Sequence, residues 1–180
     1  MTDQTRAVRW RSPDGGLEHL SLKIAETGVT AEGVVIGGAG ETAFGLRYRI
    51  VFDAGWAAVR SLHLTVLGGP TLALRHDGYG EWSDQEGRKR KEFSGLLDID
   101  VAAIPLGFVA TVARQAWKAG KTQDAEVLRI AVPSLEPTRA RLRIACREAG
   151  RAYELDGAPV TLGEDGLVTA WAGRCERIEA

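Results

Sequence analysis

Leu46-Arg47-Tyr48-Arg49-Ile50-Val51-Phe52-Asp53 decides the fold class. Leu46, Tyr48, Ile50 and Phe52 occupy every second position, and side chains alternate faces along a strand, so these four share one side. The same period runs outward in both directions. Towards the N-terminus, Glu18-His19-Leu20-Ser21-Leu22-Lys23-Ile24 puts Glu18 in phase with Leu20, Leu22 and Ile24. Towards the C-terminus, Arg60-Ser61-Leu62-His63-Leu64-Thr65-Val66 puts Arg60 in phase with Leu62, Leu64 and Val66. A charge buried without a partner is expensive. Glu18 and Arg60 are therefore expected to point inward. Either they form a buried pair, with Tyr48 in the network, that fixes strand register. Or they line a polar patch in an apolar cavity, where Arg60 donates to a ligand's phosphate, carboxylate or hydroxyls.

Alternating segments follow one another at 6–12, 17–25, 28–37, 43–53, 58–67, 70–76, 94–101, 125–132, 138–147, 151–156, 159–162 and 166–172. Turn residues separate them, with Pro13-Asp14-Gly15-Gly16 and Glu164-Asp165-Gly166 reading as hairpins. This density of short strands predicts an all-β fold. Residues 106–120 carry the spacing of one amphipathic helix, weakened by Val109, Thr111 and Val112. The expected architecture is a single highly curved antiparallel sheet, a spiral β-roll or half-barrel with at most one short helix. No repeat or low-complexity linker breaks the chain, so residues 1–180 are expected to form one domain.

A chain of 180 residues with formal net charge -1 lacks the basic excess of a nucleic-acid binder. No segment approaches the roughly 20 apolar residues of a membrane span. The opening MTDQTRAVRWRSPDGG lacks the apolar run of a secretory signal, so the cytoplasm is the expected compartment. Cys146 is in phase with Leu142 and Ile144 and reads as a small buried hydrophobe. With Cys175 it makes no disulfide framework and no metal spacing, and no cofactor is expected.

Other chemistry-bearing residues read most simply as structural. His76 shares a face with Leu72 and Leu74, and no G-x-S-x-G elbow or activated thiol accompanies it. Asp98 and Asp100 are expected on a solvated face, opposite Leu97, Ile99 and Val101. Gly38-Ala39-Gly40-Glu41-Thr42-Ala43 imitates a dinucleotide fingerprint, but a strand follows where a helix is required, so it reads as a hairpin loop. Arg88-Lys89-Arg90-Lys91, flanked by Asp84, Glu86 and Glu92, reads as a solvated loop. Of the five tryptophans, Trp56 and Trp82 sit beside glycine-rich corners and are the candidates for a cavity mouth.

The order of landmarks carries a resemblance. Trp10 and Glu18 precede Tyr48-Arg49-Ile50, Asp53, Trp56 and Arg60, in a Y-x-I-x-x-D-x-x-W-x-x-x-R arrangement. Then come Asp77-Gly78-Tyr79-Gly80-Glu81-Trp82, Asp98-Ile99-Asp100 leading to Pro105, then Pro133, Tyr153 and Asp165-Gly166-Leu167-Val168. Over nearly its whole length the chain resembles the Putative glycolipid-binding family, bacterial domains of unknown function. The resemblance implies a spiral β-roll akin to lipoprotein-carrier folds, and a glycolipid or other amphiphilic small molecule as partner. One segment departs. Where the family tends to carry an Asn-Thr-Leu-Pro-Ile-Arg-Arg type run, this chain has Leu106-Gly107-Phe108-Val109-Ala110-Thr111-Val112-Ala113-Arg114 after Pro105. Phe108 replaces the Asn and only Arg114 of the arginine pair remains, which implies a greasier site.

The leading expectation is non-enzymatic binding of an amphiphile in the concavity, with Glu18, Tyr48, Trp56, Arg60, Trp82 and Arg114 as ligand-binding residues. Two alternatives stay open. An enzyme acting on a sugar, lipid or small carboxylic acid through Glu18, Arg60 or His76 predicts a water-accessible Glu18 with a raised pKa. A filled scaffold predicts no internal pocket and an exposed apolar patch.

Overall fold

The computed structural model describes residues 4–56 and 58–178. Its strands are β1 (Gln4–Arg11), β2 (Leu17–Ala25), β3 (Gly28–Gly37), β4 (Phe44–Phe52), β5 (Val59–Val66), β6 (Thr71–His76), β7 (Trp82–Ser83), β8 (Asp98–Val101), β9 (Thr122–Ile130), β10 (Pro137–Glu148), β11 (Ala152–Leu155), β12 (Ala158–Leu162), β13 (Val168–Trp171) and β14 (Cys175–Ile178). One helix, α1 (Leu106–Ala113), lies between β8 and β9. All the strands join one curled sheet that does not close on itself, in the order β7-β6-β5-β4-β3-β2-β1-β14-β13-β12-β11-β10-β9-β8. The chain thus starts in the middle of the sheet and meanders out to one edge. It crosses through residues 84–97 to the other edge and steps back in until β14 pairs with β1.

The alternation predicted for β2 and β4 is realised. Glu18, Leu20 and Leu22 are buried while Leu17, His19, Ser21 and Lys23 are exposed. Leu46, Tyr48, Ile50 and Phe52 are buried while Arg47 and Arg49 are exposed. Inward residues of both halves of the sheet meet the apolar side chains of α1 in one continuous core. The concavity is therefore packed with side chains along its middle, and open volume lies at its two ends.

Three sequence expectations need correction. The sheet is not wholly antiparallel, because β8 and β9 run parallel. The connection between them is long enough, and carries the helix, to return the chain in the same direction. The helix ends at Ala113 rather than near 120. Its residues 106–112 are all buried, so burial rather than propensity holds it. Gly107 permits the close approach, since a Cβ there would stand 2.2 Å from the Ile99 carbonyl oxygen. Asp98 and Asp100 are buried rather than solvated. A parallel edge strand with a helix packed on it has both faces covered.

The two sheet edges are joined by side chains and turns. Trp82 Nε1 donates to the Leu96 carbonyl (2.8 Å), and Gly95 N–H donates to the Gly80 carbonyl (2.8 Å). Arg139 of β10 donates to the Ser94 carbonyl (2.7 Å), fastening the crossing segment over the gap.

Candidate functional site

A cavity of about 410 Å³ opens at the end of the roll where β1 and β3 finish and β2, β4 and β14 begin. Trp10, Val35, Phe44, Ala103, Pro105 and Val132 give it an apolar wall. Glu18, Arg174 and Cys175 supply its inner polar groups, and Ser12 and Asp14 its lip.

Glu18 is only 5 % exposed. The Tyr48 hydroxyl donates to its Oε1 (2.6 Å). Burial pushes the Glu18 carboxyl up to about 8, against the lowering pull of the Tyr48 bond and the Arg174 charge. At neutral pH Glu18 is therefore mainly the neutral acid. With Oε1 accepting from Tyr48, the acid proton sits on the other oxygen. Burial, with Glu18 beside it, raises the Tyr48 phenol well above its usual range. Burial also pushes the Cys175 thiol up to about 12, so it stays protonated and unreactive.

Tyr48 reaches Glu18 because β3 has a glycine opposite it. Gly33 pairs with Tyr48 on one side and Leu20 on the other. A Cβ at Gly33 would stand 2.4 Å from Tyr48 Cζ and Oη, so the phenol lies across the bare backbone of β3.

Arg174 is held by the buried edge of the sheet. Its Nη1 and Nη2 both donate to Asp100 Oδ1 (3.1 Å each), and Nη2 also donates to the Val101 carbonyl. Arg129 Nε donates to the other Asp100 oxygen (2.9 Å), and the Arg174 guanidinium stacks over Trp171 at 4.2 Å. Arg174 Nε, by contrast, is buried without a hydrogen-bond partner among the described residues. The site thus combines a carboxyl that burial holds towards its neutral form, the guanidinium-bearing Arg174 and an apolar wall. This suits a ligand with hydroxyl, carbonyl or ether oxygens next to apolar surface. Among the described residues no cluster of His, Cys, Asp and Glu fit for a metal ion occurs.

Of the residues singled out in the sequence, the structure brings Glu18 and Tyr48 together and places the others elsewhere. Arg60 does not face Glu18. Phe52 pairs with Val59 and Val51 with Ser61, so Arg60 is the extra residue of a β-bulge and turns outward. Its side chain is 42 % exposed and is bound to Asp53 Oδ2 (3.1 Å) and the Asp77 carbonyl. Trp82 is buried at the sheet edge rather than at a cavity mouth. Arg114 pairs with Asp98 at the end of α1, and burial of Asp98 still raises its carboxyl despite that charge. Trp56 lines a different cavity at the opposite end of the roll. His76 is a satisfied interior residue. Its Nε2 accepts from Gly80 N–H (3.0 Å), Nδ1 donates to the Val59 carbonyl (2.8 Å), and its ring stacks on Trp82.

Arg174 carries no signal in the sequence, while Asp100 reads there as a solvated residue and Cys175 as one of two thiols without a framework. β14 is four residues long, too short for a period to show, and Arg174 precedes it in a turn.

Comparison with known structures places the fold beside the crystal structure of a DUF1089 family protein from Pseudomonas aeruginosa. The two share 28 % identity over 94 % of this chain and 95 % of that one, with a TM-score of 0.77. No curated protein matches the chain. No helix among the described residues is long and apolar enough to cross a membrane. The family model described as "Putative glycolipid-binding" matches residues 7–177, and the chain belongs to that family.

Proposed function

We propose that the protein binds a small amphiphile at the Glu18 end of the roll, and that it does so without chemistry. The observation that carries this reading is the buried Glu18, bonded to Tyr48 and placed with Arg174 at a cavity whose wall is largely apolar. Such groups are costly to bury unless something polar meets them. The family name supports a ligand of glycolipid type. Beside the cavity mouth, Leu17 and Ile36 lie directly opposite each other on the outer face of the sheet, 45 % and 56 % exposed. Leu67, 72 % exposed, leans over Gly45 in the same row. An alkyl chain laid along this shelf removes apolar area from water at roughly 25 cal/mol per Å², while the polar end enters the cavity. We place the protein in the cytoplasm, a reading supported by two cysteines without a disulfide between them.

Native mass spectrometry of protein purified from its own host, repeated after organic extraction, tests the reading. A stoichiometric co-purifying amphiphile that is lost in Arg174→Met supports it. A clean apo mass in both proteins removes it.

The place of the buried Glu18 in the lining of a cavity favours a second reading, because a carboxyl that burial pushes up to about 8 is a competent proton donor. If the ligand is turned over, Glu18→Gln retains binding and abolishes product. If Glu18 only binds, the ligand is recovered unchanged from both proteins.

A further inference from the structure

Strand register arranges the outer face of β1 to β6 in rows that cross the sheet. The first row, beside the Glu18 cavity, holds Leu17, Ile36 and Leu67. The second holds Arg9, His19, Val34, Arg47 and Thr65. The third holds Ser21, Glu32, Arg49 and His63, and the fourth runs from Lys23 to Arg75. A groove of about 530 Å³ lies over the second and third rows, with His19, Arg47, Arg49 and His63 in its lining.

Two surface properties coincide on this face. Five large apolar side chains are exposed among the described residues, and four of them, Leu17, Val34, Ile36 and Leu67, adjoin one another here. The same rows expose Arg9, Lys23, Arg47, Arg49 and Arg75, with His19 and His63, against one acid on the strands, Glu32. Glu32 binds Arg49 (3.0 Å), and Arg9 Nε donates to His19 Nδ1 (3.2 Å). Arg47 and Arg75 have no side-chain partner among the described residues. The neighbouring acids Asp14, Glu26 and Glu41 lie in turns at the strand ends, and Asp14 is held by the N–H groups of Gly16 and Gly38 (3.2 Å each). The outer face of the other half is different. There Arg139, Arg141 and Arg147 are paired with Glu126, Asp124 and Glu154, and no described residue of β9 to β14 exposes a large apolar side chain.

That contrast selects the partner. A second copy of the chain would set cations against cations across a two-fold axis. Protein partners are gripped chiefly by aromatic anchors, and the exposed apolar groups here are all aliphatic. A bilayer surface carrying anionic lipid meets both properties, because aliphatic side chains enter the headgroup boundary while long arginines extend to the phosphates. Successive rows stand about 7 Å apart along the strands, so Arg9 and Arg47 can reach headgroups beside an inserted first row. We propose that the outer face of β1 to β6 is a docking surface for an anionic lipid bilayer, with Leu17, Val34, Ile36 and Leu67 entering the headgroup boundary and Arg9, Arg47 and Arg49 meeting its phosphates. Leu17 and Ile36 also line the Glu18 cavity, so docking sets that mouth against the bilayer. Nothing in this assignment depends on what the cavity holds.

Co-sedimentation of the full chain with vesicles tests it. One set of vesicles is phosphatidylcholine alone, and the other contains about one third phosphatidylglycerol. The expected result is binding to the anionic vesicles only, falling at least about tenfold between about 0.05 M and about 0.5 M salt. Arg47→Glu should weaken it about tenfold and Leu67→Ser about fivefold, with urea midpoints unchanged. Arg143→Glu makes the same charge change at an exposed site on β10 and should leave it unaltered. No binding to either vesicle overturns the proposal, as does equal binding to both or an equal loss in Arg47→Glu and Arg143→Glu. A dimer in sedimentation velocity that Leu67→Ser abolishes, without vesicle binding, assigns the face to a second copy instead. None of these outcomes touches the co-purifying amphiphile, which is measured without vesicles.

Discussion

Glu18 holds its proton in the native state far more tightly than an exposed carboxylate, whose ordinary value is 4.5, because burial lifts it to about 8. The unfolded chain gives up that proton near the ordinary value while the folded one keeps it. The native state therefore binds more protons throughout the interval, and stability falls as pH rises from about 4.5 to about 8. The Glu18 contribution is complete below that window and lost above it. Glu18→Gln keeps an acceptor for Tyr48 and removes the titration. Urea midpoints measured from pH 4 to 9 should show a flatter profile for the variant and a higher midpoint than wild type at pH 9. Gly33 governs the same pair by its missing Cβ. Gly33→Ala should cost about 1–3 kcal/mol by overpacking against the phenol. A crystal structure of the variant should show the Tyr48–Glu18 bond broken. An unshifted Tyr48 in that structure would mean that β3, not the ring, gives way.

At the scale of elements, β5 shows where reading by period succeeds and where it stops. Leu62, Leu64 and Val66 follow the alternation and are buried. One inserted residue then shifts the phase, and Arg60 falls on the solvent side. A bulge leaves no trace in the spacing of apolar residues until the partner strand is known. The inward Glu18 was legible because β2 has no bulge, and its partner Tyr48 lies in a strand whose Leu46, Tyr48, Ile50 and Phe52 keep the two-residue period. The other half of the polar cluster was not legible. Asp98 and Asp100 alternate with Ile99 as they would on a solvated edge, and only the packing of α1 and the arginines of other segments buries them. These two environments predict losses of different size for similar-looking charge deletions. Arg60→Ala removes an exposed pair and should lower stability by about 1 kcal/mol or less. Asp100→Asn leaves Arg174 facing a neutral partner in a buried setting and should cost about 3 kcal/mol. Urea denaturation of both variants side by side checks the contrast, and equal losses would contradict the assignment of Arg60 to the surface.

At the scale of the whole molecule, the sheet gains its rounded form without closing its hydrogen-bond ladder. Trp82 does the joining, with its indole N–H on Leu96 and its ring against His76. Trp82→Phe keeps most of the apolar area and leaves the buried Leu96 carbonyl without its donor, which should cost about 1–3 kcal/mol. Hydrogen exchange should quicken first in β6, β7 and the 84–97 segment, while β1, β2 and β3 keep their protection. The strands most distant in sequence, β1 and β14, are neighbours at the centre of the sheet. On the ribosome, β1 must wait, one edge bare, until Cys175–Ile178 has left the exit tunnel. A premature stop only a few codons before that point would split the sheet down its middle rather than trim a margin.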